Sequence, residues 1–232
     1  MVERFPKDAF AHYRLGLFYG YARKSDQAIS QLERALSIKA DDPAVLKALG
    51  NAYYQKGNKS KAVETAERLV KLVPDDPDQQ VYLAIMYESS GNASDAEKLY
   101  RAALSKRPKQ LVALNNLAAM MTKAGKLEQA VSLGEQAVAI APDEPNVLDT
   151  LAWAHHRQRH YPEALKLLEK ARSLAPESAT ILYHLAAAHA AMDHRAEARQ
   201  LVKQALAKST SFPGADEAKA LEKSLHDASA SH

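Results

Sequence analysis

Apolar and small residues return along this chain at a fixed step of 34 residues, as from Leu15 to Leu49. One position of the period holds leucine each time, at Leu15, Leu49, Leu83, Leu117, Leu151 and Leu185. The next position holds only glycine or alanine, at Gly16, Gly50, Ala84, Ala118, Ala152 and Ala186, and a third holds alanine, at Ala28, Ala62, Ala96, Ala130, Ala164 and Ala198. Such self-similarity indicates an array of structural repeats.

Each repeat carries the start and stop signals of two helices joined by a short turn. In the second repeat, Pro43 begins helix A and Gly57 ends it, as a C-terminal glycine does. Ser60 is expected to be the N-cap of helix B, which ends before Pro74. The same device of an acidic cap followed by proline occurs in Asp41-Asp42-Pro43, Asp75-Asp76-Pro77 and Asp143-Glu144-Pro145. Turns this short predict antiparallel helix pairs and an all-α fold.

The recurring small residues have a steric role. Glycine or alanine on helix A and alanine on helix B let the two helix axes approach closely, while larger side chains fill the space around the contact. Gly134 departs from the pattern, because it lies where helix B otherwise carries a large residue. We expect this glycine to leave a hole and to make the fourth repeat the least stable.

The composition excludes several classes of function. The 232 residues include 31 Lys and Arg and 28 Asp and Glu, a net charge of +3, and the two signs are interleaved, which argues against nucleic-acid binding. Cysteine is absent, which excludes disulfides, thiolate nucleophiles and cysteine-based zinc sites. No apolar run reaches the roughly 20 residues that cross a bilayer, so we expect no membrane insertion by this chain.

The repeat resembles the tetratricopeptide repeat. The family pattern of Leu-Gly, an aromatic residue, alanine and a closing proline matches Leu49, Gly50, Tyr53, Ala62 and Pro74. The resemblance implies a right-handed α-solenoid of helix-turn-helix repeats with helix A on the concave side. It covers six repeats, at residues 9–42, 43–76, 77–110, 111–144, 145–178 and 179–212.

The two ends of the chain differ. Residues 1–8, with Pro6 near a repeat-closing position, are interpreted as the tail of a truncated preceding repeat, so that Phe5, Phe10 and Tyr13 would meet an open edge. Residues 213–232 are expected to form a capping helix, over residues 215–225, followed by a frayed tail.

The helix A positions that face away from helix B form the expected binding face for a protein or peptide ligand. We predict that it contains Tyr13, Leu17, Tyr21, Lys47, Asn51, Tyr54, Gln55, Ile85, Glu88, Asn115, Lys123, Asp149, Trp153, His156, Arg157 and Tyr183. Trp, Tyr and Arg dominate interface energetics. Trp153 is the only tryptophan, and two interpretations stay open for it: a peptide-binding anchor, or a residue packed against the neighbouring repeat.

Reactive chemistry finds little support in the sequence. His156 and His160 have the i,i+4 spacing that can hold a metal on one helix face, but Arg157 and Arg159 intervene and no carboxylate completes a ligand set. His155 takes a packing position. Glycine-rich phosphate loops and the common hydrolase motifs are missing. We therefore expect a protein that is not an enzyme, with no catalytic residues, no metal and no cofactor.

Three functions stay open: a scaffold that binds a protein segment, a self-assembling module, and a regulatory part of a larger enzyme. A second resemblance bears on the context. Residues 110–226, with Leu148-Asp-Thr-Leu-Ala-Trp and Ser211-Phe-Pro-Gly, are similar to the C-terminal part of bacterial repeat lipoproteins linked to exopolysaccharide export and PEP-CTERM sorting. That resemblance implies an envelope-side assembly factor and favours a periplasmic or envelope-associated location, with a cytoplasmic one left open.

Overall fold

The computed structural model describes the backbone of residues 7–230 and the side chains of residues 7–227. Every regular element in this part of the chain is an α-helix, which confirms the all-α repeat fold. The helices are α1 (Ala9–Tyr21), α2 (Ser25–Ile38), α3 (Pro43–Gln55), α4 (Lys59–Leu72), α5 (Pro77–Ser90), α6 (Ala93–Lys106), α7 (Leu111–Lys123), α8 (Leu127–Ile140), α9 (Pro145–Arg157), α10 (Tyr161–Leu174), α11 (Ala179–Ala191), α12 (Arg195–Lys208) and α13 (Ala215–Ala230). None of the helices described is both long and apolar enough to cross a membrane.

The predictions for the chain ends fall partly outside the described residues. Most of the supposed tail of a preceding repeat, including Phe5 and Pro6, lies there, and so do residues 231 and 232 of the predicted frayed tail. Asp8 is the N-cap of α1, since its carboxylate accepts a hydrogen bond from the Phe10 N–H at 2.9 Å. At the other end, α13 extends past the predicted limit of residue 225 to Ala230.

The chain divides into two compact units, Met1–Ala113 and Leu114–His232. In the first unit, the hairpins α1–α2, α3–α4 and α5–α6 follow one another, with α2 packed on α3 and α4 on α5. In the second unit, α8 packs on α9, the hairpins α9–α10 and α11–α12 pack together through α10 and α11, and α13 covers α12 and α11. Each unit therefore has its own core of alanine and leucine side chains.

Local capping explains where the helices begin. The carboxylate of Asp42 accepts from the Ala44 and Val45 N–H groups, and Pro43 takes the first helical position, as the sequence predicts. Glu144 makes no such bond from its side chain. The prediction for Ser60 is wrong, because α4 begins earlier, at Lys59, and Asn58 is the residue whose side chain caps it.

The small residues mark points of close approach between helices. A Cβ atom on Gly16 would come within 2.6 Å of Leu32 Cγ, so the α1–α2 contact requires glycine there. The expected hole at Gly134 is not present. A Cβ atom on this residue would lie 3.0 Å from Cδ1 and 3.3 Å from Cα of Leu151, because α9 packs directly onto the glycine. Gly134 therefore permits a tight α8–α9 contact.

Candidate functional site

The second unit contains a pocket of about 530 Å³ on the surface formed by the odd-numbered helices and the start of α13. We call it the Trp153 pocket. Its walls consist of Ala119, Thr122, Lys123, Asp149, Thr150, Trp153, Arg157, Thr180, Tyr183, His184, Pro213, Gly214 and Glu217. Five of the predicted binding residues thus lie around one cavity: Lys123, Asp149, Trp153, Arg157 and Tyr183.

Trp153 is held by a stack of aromatic rings. Its indole lies 4.0 Å from the His184 ring and 4.6 Å from the His156 ring, measured between centroids, and both pairs are nearly parallel. Tyr183 contacts the same indole at a tilted angle, with centroids 5.9 Å apart. Trp153 is half-buried, so it packs against the neighbouring repeat and also contributes to the pocket wall. The two interpretations of this residue are therefore compatible.

Asp149 holds one of the rings that stack on Trp153. Its Oδ1 atom lies 2.7 Å from Nδ1 of His184, one repeat further along the chain, and only 9% of the residue is exposed. Asp149 therefore lines the pocket on the predicted face, but it is buried there and its carboxylate is already engaged. The carboxylate holds His184, which in turn stacks on Trp153.

Tyr183 is also more buried than the sequence predicts, with 7% of its surface exposed. Its Cε1 atom would lie 2.6 Å from a Cβ atom on Gly214, so the segment before α13 closes directly over the ring. Burial, and after it the charge of Glu217, raises the pKa of Tyr183, while Arg157 lowers it. Tyr183 is therefore part of the wall, with one charge of each sign near it.

Three ionic side chains border the pocket without an ion pair among the described residues. Lys123, Arg157 and Glu217 are exposed, and none has an ion-pair partner in the part of the chain that the structure describes. His156, by contrast, is partly buried and does not line the pocket. Burial, as the largest cause, lowers the pKa of His156, and its Nδ1 atom is buried without a hydrogen bond among the described residues.

The first unit has a smaller pocket, of about 250 Å³, between its first two hairpins. Leu17, Tyr21, Asn51 and Gln55 from the predicted binding face line it, together with Gly16 and Gly20. Tyr21 is the most exposed of them, at 87%. Among its lining residues, Arg23 is the only one with a charged side chain.

The other predicted residues lie outside both pockets. In the first unit these are Tyr13, Lys47, Tyr54, Ile85 and Glu88, and in the second unit Asn115 and His156. Several are already engaged: the Lys47 ammonium lies 5.6 Å above the Tyr82 ring, and Glu88 accepts a hydrogen bond from the Tyr100 hydroxyl at 3.1 Å. Ile85 packs against the core of its unit.

Sequence reasoning missed Glu217 and Gly214, and it gave His184 no role in binding. The signal for His184 in the sequence is its spacing from Asp149: it follows 35 residues later, one repeat period plus one residue. His156 and His160 do not lie on one helix face as an i,i+4 metal-binding pair would, because α9 ends at Arg157 and the chain turns before His160. His160 lies instead beside His155, with ring centroids 5.9 Å apart.

One model of the tetratricopeptide repeat matches residues 22–84 and 155–222, and a second matches residues 109–177. The first of these covers more than half of the sequence. The chain belongs to the tetratricopeptide repeat family.

Solved structures with the same fold agree with this assignment. This tetratricopeptide repeat protein is similar to a protein from Parabacteroides merdae of the same family, with 16% identity, a TM-score of 0.78 and coverage of 97% of this chain and 88% of that one. It is also similar to a chain of the APC/C hetero-tetramer Cut9–Hcn1, with 16% identity and a TM-score of 0.84. That match covers 97% of this chain but only 44% of the other, so the protein spans less than half of that relative.

A third similar structure is YrrB, a tetratricopeptide repeat protein with an unusual peptide-binding site. The identity is 16%, the TM-score is 0.59, and the match covers 78% of this chain and 93% of YrrB. No curated protein matches this tetratricopeptide repeat protein in sequence. At these identities the structural matches establish the fold, which is consistent with a protein-interaction scaffold. Proteins of this repeat class are generally non-catalytic.

Proposed function

We propose that this protein is a non-catalytic scaffold that holds a segment of a partner protein in the Trp153 pocket. The observation that carries the proposal is an apolar, aromatic wall beside ionic groups that have no ion-pair partner among the described residues. Ligand pockets in proteins are concave and mostly apolar, with a few polar groups that fix the orientation of the ligand. The pocket has this construction.

The charges define the segment that fits best. Asp149 is engaged with His184, which leaves Lys123 and Arg157 as two cations and Glu217 as one anion at the pocket. An acidic side chain of the partner would meet the two cations, and arginine can bind a carboxylate with two parallel hydrogen bonds. We infer a segment in which an acidic residue adjoins apolar ones.

A random peptide library displayed on phage tests this proposal. The full chain is the bait, and selected peptides are titrated while the fluorescence of Trp153, the only tryptophan, is followed. We expect acidic, apolar sequences that change this emission. Reversing both cations, as K123E/R157E, should weaken binding at least about tenfold, since loss of a paired charge costs 1.5 kcal/mol or more.

The matched control is K71E/K166E, which makes the same change in net charge at two exposed lysines outside the pocket. It should bind as the wild type does. Equal binding by K123E/R157E and the wild type would overturn the proposal, as would a library that yields no peptide able to change the Trp153 emission. If a second copy of the chain is the occupant instead, sedimentation will show association that depends on concentration and is lost in K123E/R157E.

The wider role is a separate part of the proposal. The resemblance of residues 110–226 to bacterial repeat lipoproteins of exopolysaccharide export supports a role in envelope-side assembly. A pull-down from a bacterial envelope extract, with the wild type and K123E/R157E in parallel, tests this role. We expect an envelope protein that the wild type retains and the variant does not. Recovery of the same proteins by both baits counts against it.

A further inference from the structure

The last two helices of the second unit line a cavity of about 410 Å³ that shares no residue with the Trp153 pocket. We call it the α12–α13 cavity. Its lining residues are Arg199, Lys203, Lys219, Glu222, Lys223, His226 and Asp227. Arginine and lysine supply four cations, two from each helix, against two carboxylates. The volume is within the range of about 300–1,000 Å³ that is typical of small-molecule sites.

The four cations stand in two rows, one on each helix. Arg199 and Lys203 are four residues apart on α12, and Lys219 and Lys223 are four residues apart on α13. Side chains at this spacing are neighbours on one helix face, and two like charges there destabilise the helix. Lys219 has an ion pair with Asp216 at 3.0 Å, but the carboxylate is highly exposed, and such pairs contribute little. The arrangement therefore carries a cost unless an anion offsets it.

The repeat register shows that Lys203 replaces an acid. The equivalent residue is glutamate in four of the five preceding hairpins, at Glu33, Glu67, Glu135 and Glu169. Glu33 accepts a hydrogen bond from the hydroxyl of Tyr53, on the next helix A, at 2.5 Å. Glu67 accepts the equivalent bond from Tyr87 at 2.6 Å. At these two junctions the acid joins one hairpin to the next.

The helix α13 takes the place of a next helix A. It packs on α12 and contacts α11, as α11 packs on α10 and contacts α9. In the 34-residue register, Lys203 corresponds to Glu33 and Lys223 corresponds to Tyr53. Both lysines line the α12–α13 cavity. The junction of α12 with α13 therefore has a cation on each side, where the junction of α2 with α3 has a carboxylate and a hydroxyl.

The third hairpin shows how a cation at this position is otherwise neutralised. Arg101 is the residue equivalent to Lys203, and it forms an ion pair with Glu97 of the same helix at 2.8 Å. The residue equivalent to Glu97 in α12 is Arg199, a second cation. Lys203 therefore has no acid at the position that serves Arg101.

The described residues leave cationic groups available in the cavity. Neither Lys203 nor Lys223 has an ion-pair partner among them, and Glu222 forms no ion pair with either lysine. One guanidinium nitrogen of Arg199 donates to the Leu225 carbonyl at 2.6 Å. This bond fixes the guanidinium against α13, while its other N–H groups have no partner in the described part of the chain.

We propose that the α12–α13 cavity binds a phosphate group carried by a small organic molecule. A phosphate monoester has a charge of about −1.5 to −2 at pH 7 and three acceptor oxygens, so that one group can bridge cations of both helices. Arginine binds phosphate through two parallel hydrogen bonds, and lysine binds it as a point charge. A carboxylate, with one charge and two oxygens, would neutralise fewer of the cations. Because the ligand binds the folded helix pair and not the open chain, it stabilises the packing of α13 on α12.

Phosphorus NMR of glycerol 3-phosphate, titrated with the full chain, tests the proposal. We expect the phosphorus line to broaden and shift with the wild type. The variant K203E should bind at least about tenfold more weakly, since it removes one charged partner and adds a like charge. Glutamate is the residue that four other hairpins carry at this position, so K203E should keep the circular dichroism and the thermal midpoint of the wild type.

The matched control is K166E, which makes the same change in net charge at an exposed lysine of α10 outside both cavities. It should bind as the wild type does, and so should K123E/R157E, because the Trp153 pocket is a separate site. Phosphate salts also stabilise proteins by exclusion from their surface. The thermal midpoint should therefore rise equally with the ester in the wild type and K166E, and less in K203E.

Two further anions define the ligand class. Inorganic phosphate should bind more weakly than the ester, and equal affinity would overturn the inference of an organic carrier. Sodium acetate at the same ionic strength should not displace the ester, and displacement would show that the cavity takes any anion. The proposal is wrong if the wild type leaves the phosphorus line unchanged at low millimolar ester, or if K203E and K166E bind the ester equally well.

Discussion

The hydroxyl group of Tyr82 occupies the space that a Cβ atom on Gly50 would need. The same hydroxyl donates a hydrogen bond to the Lys47 carbonyl at 3.2 Å, so α5 is anchored to the backbone of α3 at this point. Tyr82 is 7% exposed, and burial raises its pKa. Glycine at position 50 and tyrosine at position 82 are therefore a matched pair within the first unit.

Replacing Gly50 with alanine should destabilise the protein. Alanine gains about 1 kcal/mol of helix propensity over glycine, but overpacking a filled core costs about 1–3 kcal/mol. We expect G50A to lower the free energy of unfolding in urea by about 1 kcal/mol net. In a Y82F background, where the obstructing oxygen is gone, G50A should be neutral or stabilising.

The control for this prediction is G20A. Nothing lies within 4 Å of a Cβ atom on Gly20, so this change should raise the free energy of unfolding by up to about 1 kcal/mol. If G50A stabilises the wild-type protein as G20A does, the steric conflict with Tyr82 is not real.

The contact between Gly134 and Leu151 makes a second prediction. A hole at residue 134 would be filled by alanine and would stabilise the chain, whereas a tight contact should be strained by it. Because a Cβ atom there would lie 3.3 Å from the Leu151 Cα atom, the backbone of α9 has to shift. We expect G134A to cost about 1 kcal/mol in urea unfolding. Amide exchange in α8 and α9 should become faster. Slower exchange in G134A would show that alanine fills a cavity at this position, contrary to the tight contact with Leu151.

The turns between helices make a third prediction. Arg23 has a φ of 55°, in the left-handed region, where Gly57, Gly91 and Gly125 occupy the equivalent turns of the next three repeats. That conformation costs an ordinary residue about 1–2 kcal/mol. Glycine avoids this cost but loses more conformational entropy on folding, so the net gain is smaller. R23G should therefore raise the free energy of unfolding by about 0.5 kcal/mol, measured by urea denaturation. The reverse change, G57A, should lower it by about 1 kcal/mol. A loss of stability in R23G, or a gain in G57A, would contradict this account.

The cap of α3 predicts how the protein responds to acid. A hydrogen bond from Lys39 has the largest effect and lowers the pKa of Asp42. Burial opposes it, while the Val45 and Ala44 N–H groups and the charge of Lys39 lower the pKa further. An acid whose pKa is lower in the folded state stabilises the fold above its unfolded pKa of about 3.9. This contribution is lost as the pH falls from there through the folded pKa.

Two variants separate the charge of Asp42 from its capping role. Asparagine caps a helix as well as aspartate does, so D42N should lose stability at pH 7 and match the wild type at low pH. D42A should lose about 1 kcal/mol at both values because the cap itself is gone. Thermal unfolding at pH 7 and at about pH 2.5 measures this. A deficit of D42N that stays the same at both pH values would show that the charge is not the cause.

Much of the fold was accessible from sequence because its signals are local. The Asp-Pro links predicted the starts of α3 and α5, and Gly57 predicted the turn that follows α3. The prediction of the α4 cap failed because two nearby residues, Asn58 and Ser60, both have side chains that can cap a helix. The turn at Gly57 places Asn58 at the start of the helix. For the candidate site, the period indicated which face of each odd helix to consider, and this placed Trp153 and Arg157 at one pocket.

By itself, the sequence determined the repeat, the start of α3 and of α5, and the positions at which two helices must come close. These features depend on backbone conformation, capping and side-chain volume over a few residues. Only the tertiary structure decided that Asp149 is buried against His184, that Trp153 stacks on two imidazoles, and that His160 meets His155 rather than His156. Such contacts depend on how each helix is rotated against its neighbour and on which rotamers fit there. A periodic pattern specifies the face on which a side chain lies, but not the side chain that it touches.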